Sequence, residues 1–137
     1  MRSIKIFLAV LLLAIGGLIY IGFRSESLLM FEWYEYIGGY RYILSFRKLC
    51  SQYEVSQFVK YSLPDGLWLL SYMILIGTIW DNNRCNKYIL FIYYMTLISE
   101  ILELLQYQFS VLGTFDVLDI LSYILAITIY GLIQLLV

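Results

Sequence analysis

Residues 99–123 read SEILELLQYQFSVLGTFDVLDILSY. The stretch holds Glu100, Glu103, Asp116 and Asp119, four of the 10 acidic residues in the chain, and no basic residue. Apolar sequence runs away from it on both sides, YILFIYYMTLI before it and ILAITIYGLIQLLV after it. The pattern predicts a membrane-spanning hairpin with its carboxylates at or inside the mouth. Ionisable groups at that depth are costly, and by default they raise a functional-site hypothesis.

Composition sets the same class. The 137 residues are 62% hydrophobic and 14% charged, with a mean hydropathy of +0.81. Ordinary soluble domains are about 25% charged, and one of this size could not hide so much apolar surface. The chain reads as an all-α integral membrane protein with room for one domain, 1–137, and the lipid bilayer as its first partner. A net charge of −1 gives no global attraction to nucleic acid, and none is expected as a partner. The absence of histidine excludes Ser-His-Asp and Cys-His nucleophiles, together with His-ligated zinc and haem. No cofactor and no metal are expected. Cys50 and Cys85 are too few for a disulfide framework or a metal cluster, and both are expected to be free thiols.

Spans follow from the apolar runs. About 20 helical residues cross a hydrocarbon core of about 30 Å, and residues 4–23 supply the first such run, behind Arg2 and Lys5. The run is too long for a signal-peptide h-region and lacks a small-residue cleavage site. Gly16-Gly17 within it suggests a close helix contact. Residues 24–62 are too charged to span and rich in Trp and Tyr, which favour the membrane–water boundary. They predict an aromatic-rich loop with one or two short helices, a turn at Gly38-Gly39 and helical spacing over Ser51–Tyr61. A second span is expected over about 63–80, with Pro64 and Asp65 suited to its first turn. A third is expected over 88–106 and a fourth over 115–137, joined at Gly113.

Consecutive spans put the start of the second, the end of the third and the start of the fourth on one side of the membrane. Asp65, Glu103, Gln106, Asp116 and Asp119 therefore share a face with the aromatic loop, whereas Cys50 and Cys85 lie on opposite faces. Arg84 and Lys87 in the short connection, with Arg2 and Lys5, put both termini on the cytoplasmic side and the acidic face outside. Glu100, Glu103 and Gln106 recur every three residues along one helical stripe. Asp116, at the head of the fourth span, suits helix capping, which explains less of Asp119 one turn deeper.

The pattern Glu103-Leu-Leu-Gln106 followed by Gly113-Thr-Phe-Asp116-Val-Leu-Asp119 resembles the VanZ-like family of small bacterial membrane proteins, which shows E-x-x-Q and then R-x-F-D-x-x-D. An earlier family element, Asp then Tyr seven residues later, is matched by Asp65 and Tyr72. The resemblance covers about 64–137 and implies four spans, a site at these carboxylates and a cell-envelope setting in the bacterial inner membrane. The chain departs from the family at Gly113, where an arginine is usual, at Tyr123, where asparagine is frequent, and at Leu69, where histidine is common. The carboxylates then need a counter-charge from elsewhere, and Arg41, Arg47, Lys48 and Lys60 are the candidates.

The function expected from these readings is an extracytoplasmic acidic pocket that binds an envelope amphiphile or a membrane-protein partner. Glu100, Glu103, Gln106, Asp116, Asp119 and Asp65 would make polar contacts, with Trp68 and loop aromatics over the apolar part. The alternatives are a carboxylate- or metal-dependent enzyme on a lipid-linked substrate, an ion-coupled transporter that would need to oligomerise, and a small subunit of a larger membrane complex.

Overall fold

The computed structural model describes residues 2–26, 29–80, 98, 101 and 116–136. Among the described residues every regular element is helical. They are α1 (Arg2–Phe23), α2 (Leu29–Tyr36), α3 (Tyr40–Cys50), α4 (Leu63–Ile79) and α5 (Val117–Leu136). Among the described residues three stretches are long and apolar enough to cross a membrane: Arg2–Phe23, Phe58–Ile79 and Val117–Gln134. The expected third span, with Glu100, Glu103 and Gln106, lies outside the described residues except for Ile98 and Ile101. So do the connection 81–87, Cys85 and the turn at Gly113.

α4 is the central helix. It runs antiparallel to α1, and the register is set by side chains that donate to carbonyls of α1. Ser71 Oγ donates to Ala9 O at 2.7 Å, and Trp68 Nε1, one turn nearer the start of α4, donates to Leu13 O at 3.3 Å. Gly16 lets this happen, because a Cβ there would lie 2.7 Å from Trp68 Nε1. Between apolar helices such polar links and small-residue contacts do much of the packing. Replacing Ser71 with Ala leaves the Ala9 carbonyl its own helical partner. We therefore expect a loss of only about 0.5 kcal/mol, read from unfolding in detergent.

On its other side α4 meets α5 in parallel. A Cβ on Gly66 would lie 2.9 Å from Ser122 O, so the two backbones touch there. Further along, Leu69, Leu70, Met73 and Ile74 form one buried cluster with Ala126 and Tyr130 of α5 and Ala9 of α1. Both partners therefore advance in the same direction from the Gly66–Ser122 contact. The outer faces of α1 and α5 stay apolar and exposed, with Phe7, Val10 and Leu18 on one and Val117, Ile124 and Leu132 on the other, as a lipid-facing surface requires.

The second span gains length in a way the sequence did not announce. Pro64 has no N–H to give the carbonyl four residues back, and its ring crowds that carbonyl. The chain before it instead forms a π-helical turn, Phe58–Ser62, and Leu63 N donates to Phe58 O. Ser56 opens this turn, its Oγ accepting from Val59 N at 3.4 Å. The expected helix over Ser51–Tyr61 thus begins only at Gln57, leaving Val55 outside it.

Within 24–62 the described residues form the two short helices α2 and α3 ahead of the π-helical turn. Gly38 takes φ +74°, a backbone region natural to glycine, and turns α2 into α3 at the expected place. α3 packs its Phe46 and Cys50 against Gly22 near the end of α1. Cys50 is a free thiol. Trp33, Tyr36, Tyr42 and Tyr53 are exposed, whereas Phe31 is buried.

Candidate functional site

The parallel arrangement of α4 and α5 brings Asp65, Asp116 and Asp119 to one end of the bundle, the end where α1 finishes. Each carboxylate has a different job there.

Asp116 is the N-cap of α5. Its Oδ1 accepts from Leu118 N at 2.9 Å, and its carbonyl accepts from Asp119 N at 3.1 Å. A carboxylate at that position satisfies a donor the helix would leave orphaned and complements the dipole. Capping accounts for the residue type, and Asp116 needs no ligand to explain it.

Asp65, in the first turn of α4, faces α1. The Arg24 guanidinium lies 3.9 Å from Asp65 Oδ2, and both side chains are about a quarter exposed (26% and 25%). Arg24 Nη2 also donates to Tyr61 O at 3.5 Å, and the guanidinium stacks over the Tyr20 and Tyr61 rings at 5.0 and 5.1 Å. Arg24, just beyond α1, thus faces Asp65 as a counter-charge that the sequence reading did not name. Arg47 is engaged with Glu26 at 3.2 Å, and Lys60 lies over the Tyr61 ring at 4.9 Å. The sequence carried a signal for Arg24: a lone arginine at the end of an apolar run, four residues after Tyr20 and so on the same helical stripe.

Asp119 differs from both. Its Oδ1 is buried and makes no hydrogen bond, although its backbone carbonyl accepts from Ser122 Oγ at 2.7 Å. Ser62, fully buried on the π-helical turn, likewise has an unpartnered Oγ, and Arg24 has an unpartnered Nε. Register relates them. Gly66 meets Ser122, so Ser62, one turn earlier at the end of the π-helical turn, stands level with the first turn of α5, where Asp119 lies. Arg24 meets the same level through the Tyr61 carbonyl. Below it an apolar crevice of about 110 Å³ runs between the helices, lined by Leu63, Gly66, Leu67, Leu70, Ser122 and Leu125 among others.

The Trp68 indole faces α1, bonded to Leu13 O and tilted against Tyr20 at 5.2 Å, so it fastens two helices. Among the described residues no group of three or more His, Cys, Asp or Glu side chains converges as a metal site would require. Family models, characterised proteins and solved structures give no match to the chain. The functional reading therefore rests on the residues and their geometry.

Proposed function

We propose that the chain is a four-span, VanZ-like protein of the bacterial inner membrane whose extracytoplasmic polar end binds an envelope amphiphile or a membrane-protein partner without catalysing a reaction. Both termini lie in the cytoplasm, and the third span, carrying Glu100, Glu103 and Gln106, completes the site. Ile98 and Ile101, helical and exposed, are compatible with that span.

The observation that carries the reading is the set of buried polar atoms left without hydrogen bonds at one level of the bundle, Arg24 Nε, Ser62 Oγ and Asp119 Oδ1. Each such atom costs about 1–3 kcal/mol if nothing ever meets it. Donor and acceptor capacity together, above a narrow apolar crevice, suits a molecule with a polar head and an apolar chain. The test is native mass spectrometry of protein purified from its own membranes, wild type beside Asp119→Leu. Removing an unmet acceptor leaves the melting temperature unchanged or higher. We expect a bound small species on the wild type and its loss from the variant. A wild type with nothing bound, and a variant that melts lower, would make Asp119 part of a structural network and end the binding reading.

A further inference from the structure

A second, oppositely charged feature lies on the outer flank of α1. α3 carries Arg41, Arg47 and Lys48 and no carboxylate. Where it leans on the end of α1 it leaves an open cleft of about 390 Å³, lined by Gly22, Phe23, Glu26, Leu44, Arg47 and Lys48 among others. That volume is within the range of about 300–1,000 Å³ common to small-molecule sites.

The cleft is built around a pinned arginine. Arg47 Nε donates to Glu26 Oε1 at 3.2 Å, Nη1 donates to Ile21 O at 2.6 Å, and the guanidinium lies over the Phe31 ring at 5.0 Å. A guanidinium has five N–H donors, so these bonds fix its plane and leave an edge for a further acceptor. Glu26 is itself held by Tyr40, whose hydroxyl donates to Oε2 at 3.3 Å. Partial burial, and then Glu26, raise the pKa of that phenol above the usual tyrosine value. Lys48, exposed beside Arg47, has no ion pair among the described residues. The formal charge of the lining is +1: Arg47 and Lys48 against Glu26.

Position decides the ligand. Gly22 and Phe23 close a 22-residue apolar span, so the cleft opens where the hydrocarbon core ends and phosphates begin. Leu44 and Leu49 are exposed on the same helix, and Phe23 forms one wall. Basic residues beside apolar ones on a helix at the interface are the arrangement that holds an amphipathic helix on anionic lipid. We infer that the cleft binds the headgroup of an anionic phospholipid, its phosphate shared by Lys48 and the uncovered edge of Arg47. A zwitterionic headgroup would bring a cation to a cleft that is already positive. This site is independent of the polar end assigned above.

The test is thermal shift of the full chain in neutral detergent, titrated with phosphatidylglycerol, phosphatidylcholine or inorganic phosphate. We expect phosphatidylglycerol alone to raise the melting temperature. Lys48→Ala should weaken that response about fivefold, the usual share of one interfacial lysine, with Lys48→Gln behaving likewise. Arg41→Ala, on the same helix but outside the cleft lining, should leave it unchanged. Equal stabilisation by the two lipids, an equal response to inorganic phosphate, or equal weakening by Arg41→Ala and Lys48→Ala would each overturn the inference.

Discussion

Gly66→Ala is expected to destabilise the protein by about 1–3 kcal/mol, the usual cost of forcing a methyl group into a packed interface. The added carbon would meet Ser122 O at 2.9 Å, Ser122 Cβ at 3.0 Å and Ser122 C at 3.2 Å. Two of these are backbone atoms, which cannot swing aside as the end of a side chain can, so α4 and α5 must separate. Separation also loosens the Leu70–Ala126 layer beyond it and opens the level of Ser62 and Asp119. The matched control is Gly17→Ala, where a Cβ meets nothing within 4 Å. There the gain in helix propensity should raise stability by about 0.5–1 kcal/mol. Reversible unfolding in detergent should therefore move in opposite directions for two identical substitutions. A Gly66→Ala protein as stable as wild type would mean that the helices do not touch at Ser122.

Arg24→Ala is expected to cost about 1–3 kcal/mol. That is below the 3–5 kcal/mol typical of breaking a fully buried pair, because both Arg24 and Asp65 keep about a quarter of their exposure, 26% and 25%. The loss has separable parts: the charge facing Asp65, the bond to Tyr61 O, and the stacking on Tyr20 and Tyr61. Arg24→Lys should recover only part, since an ammonium keeps the charge but not the planar fork that stacks and bonds together. A double-mutant cycle with Asp65→Ala isolates the pair, and a coupling of about 1 kcal/mol is expected. Strict additivity of the two single effects would mean that Arg24 acts on Tyr20 and Tyr61 alone.

The sequence was informative where one residue or one run suffices. The apolar run ending at Phe23 marks the end of α1. Asp116 announces the cap of α5, and Gly16 a close helix contact, because capping and small-residue packing are local or nearly so. The expected and observed structures part where an answer depends on a distant partner. α3 forms over Tyr40–Cys50, ahead of the helical spacing at Ser51–Tyr61, because Phe46 and Cys50 find Gly22 on α1. For Trp68 the helix alone cannot say that the Leu13 carbonyl awaits its indole. Arg24 is not among the cations the sequence singles out, since its pairing with Asp65 appears only once α1 and α4 lie antiparallel. Asp119 was separated from Asp116 by its depth, but its unmet oxygen belongs to three-dimensional packing.

The π-helical turn before Pro64 carries a consequence for how the chain tolerates change. A π turn holds one residue more than an α turn, and such turns occur often at functional sites. Deleting Val59 would let the helix close with ordinary spacing and leave everything upstream in phase, because the residue removed is the one the wide turn absorbs. Lys60 and Tyr61 follow the deleted position, and Ser56 would lose the amide it caps. Substitutions in this segment should be absorbed one side chain at a time. An inserted residue, for which the widened turn has no further slack, would instead rotate the loop and its basic helix against α1 by about 100°. The segment therefore keeps the membrane helices and the chain that precedes them in phase, with the surplus residue as its record.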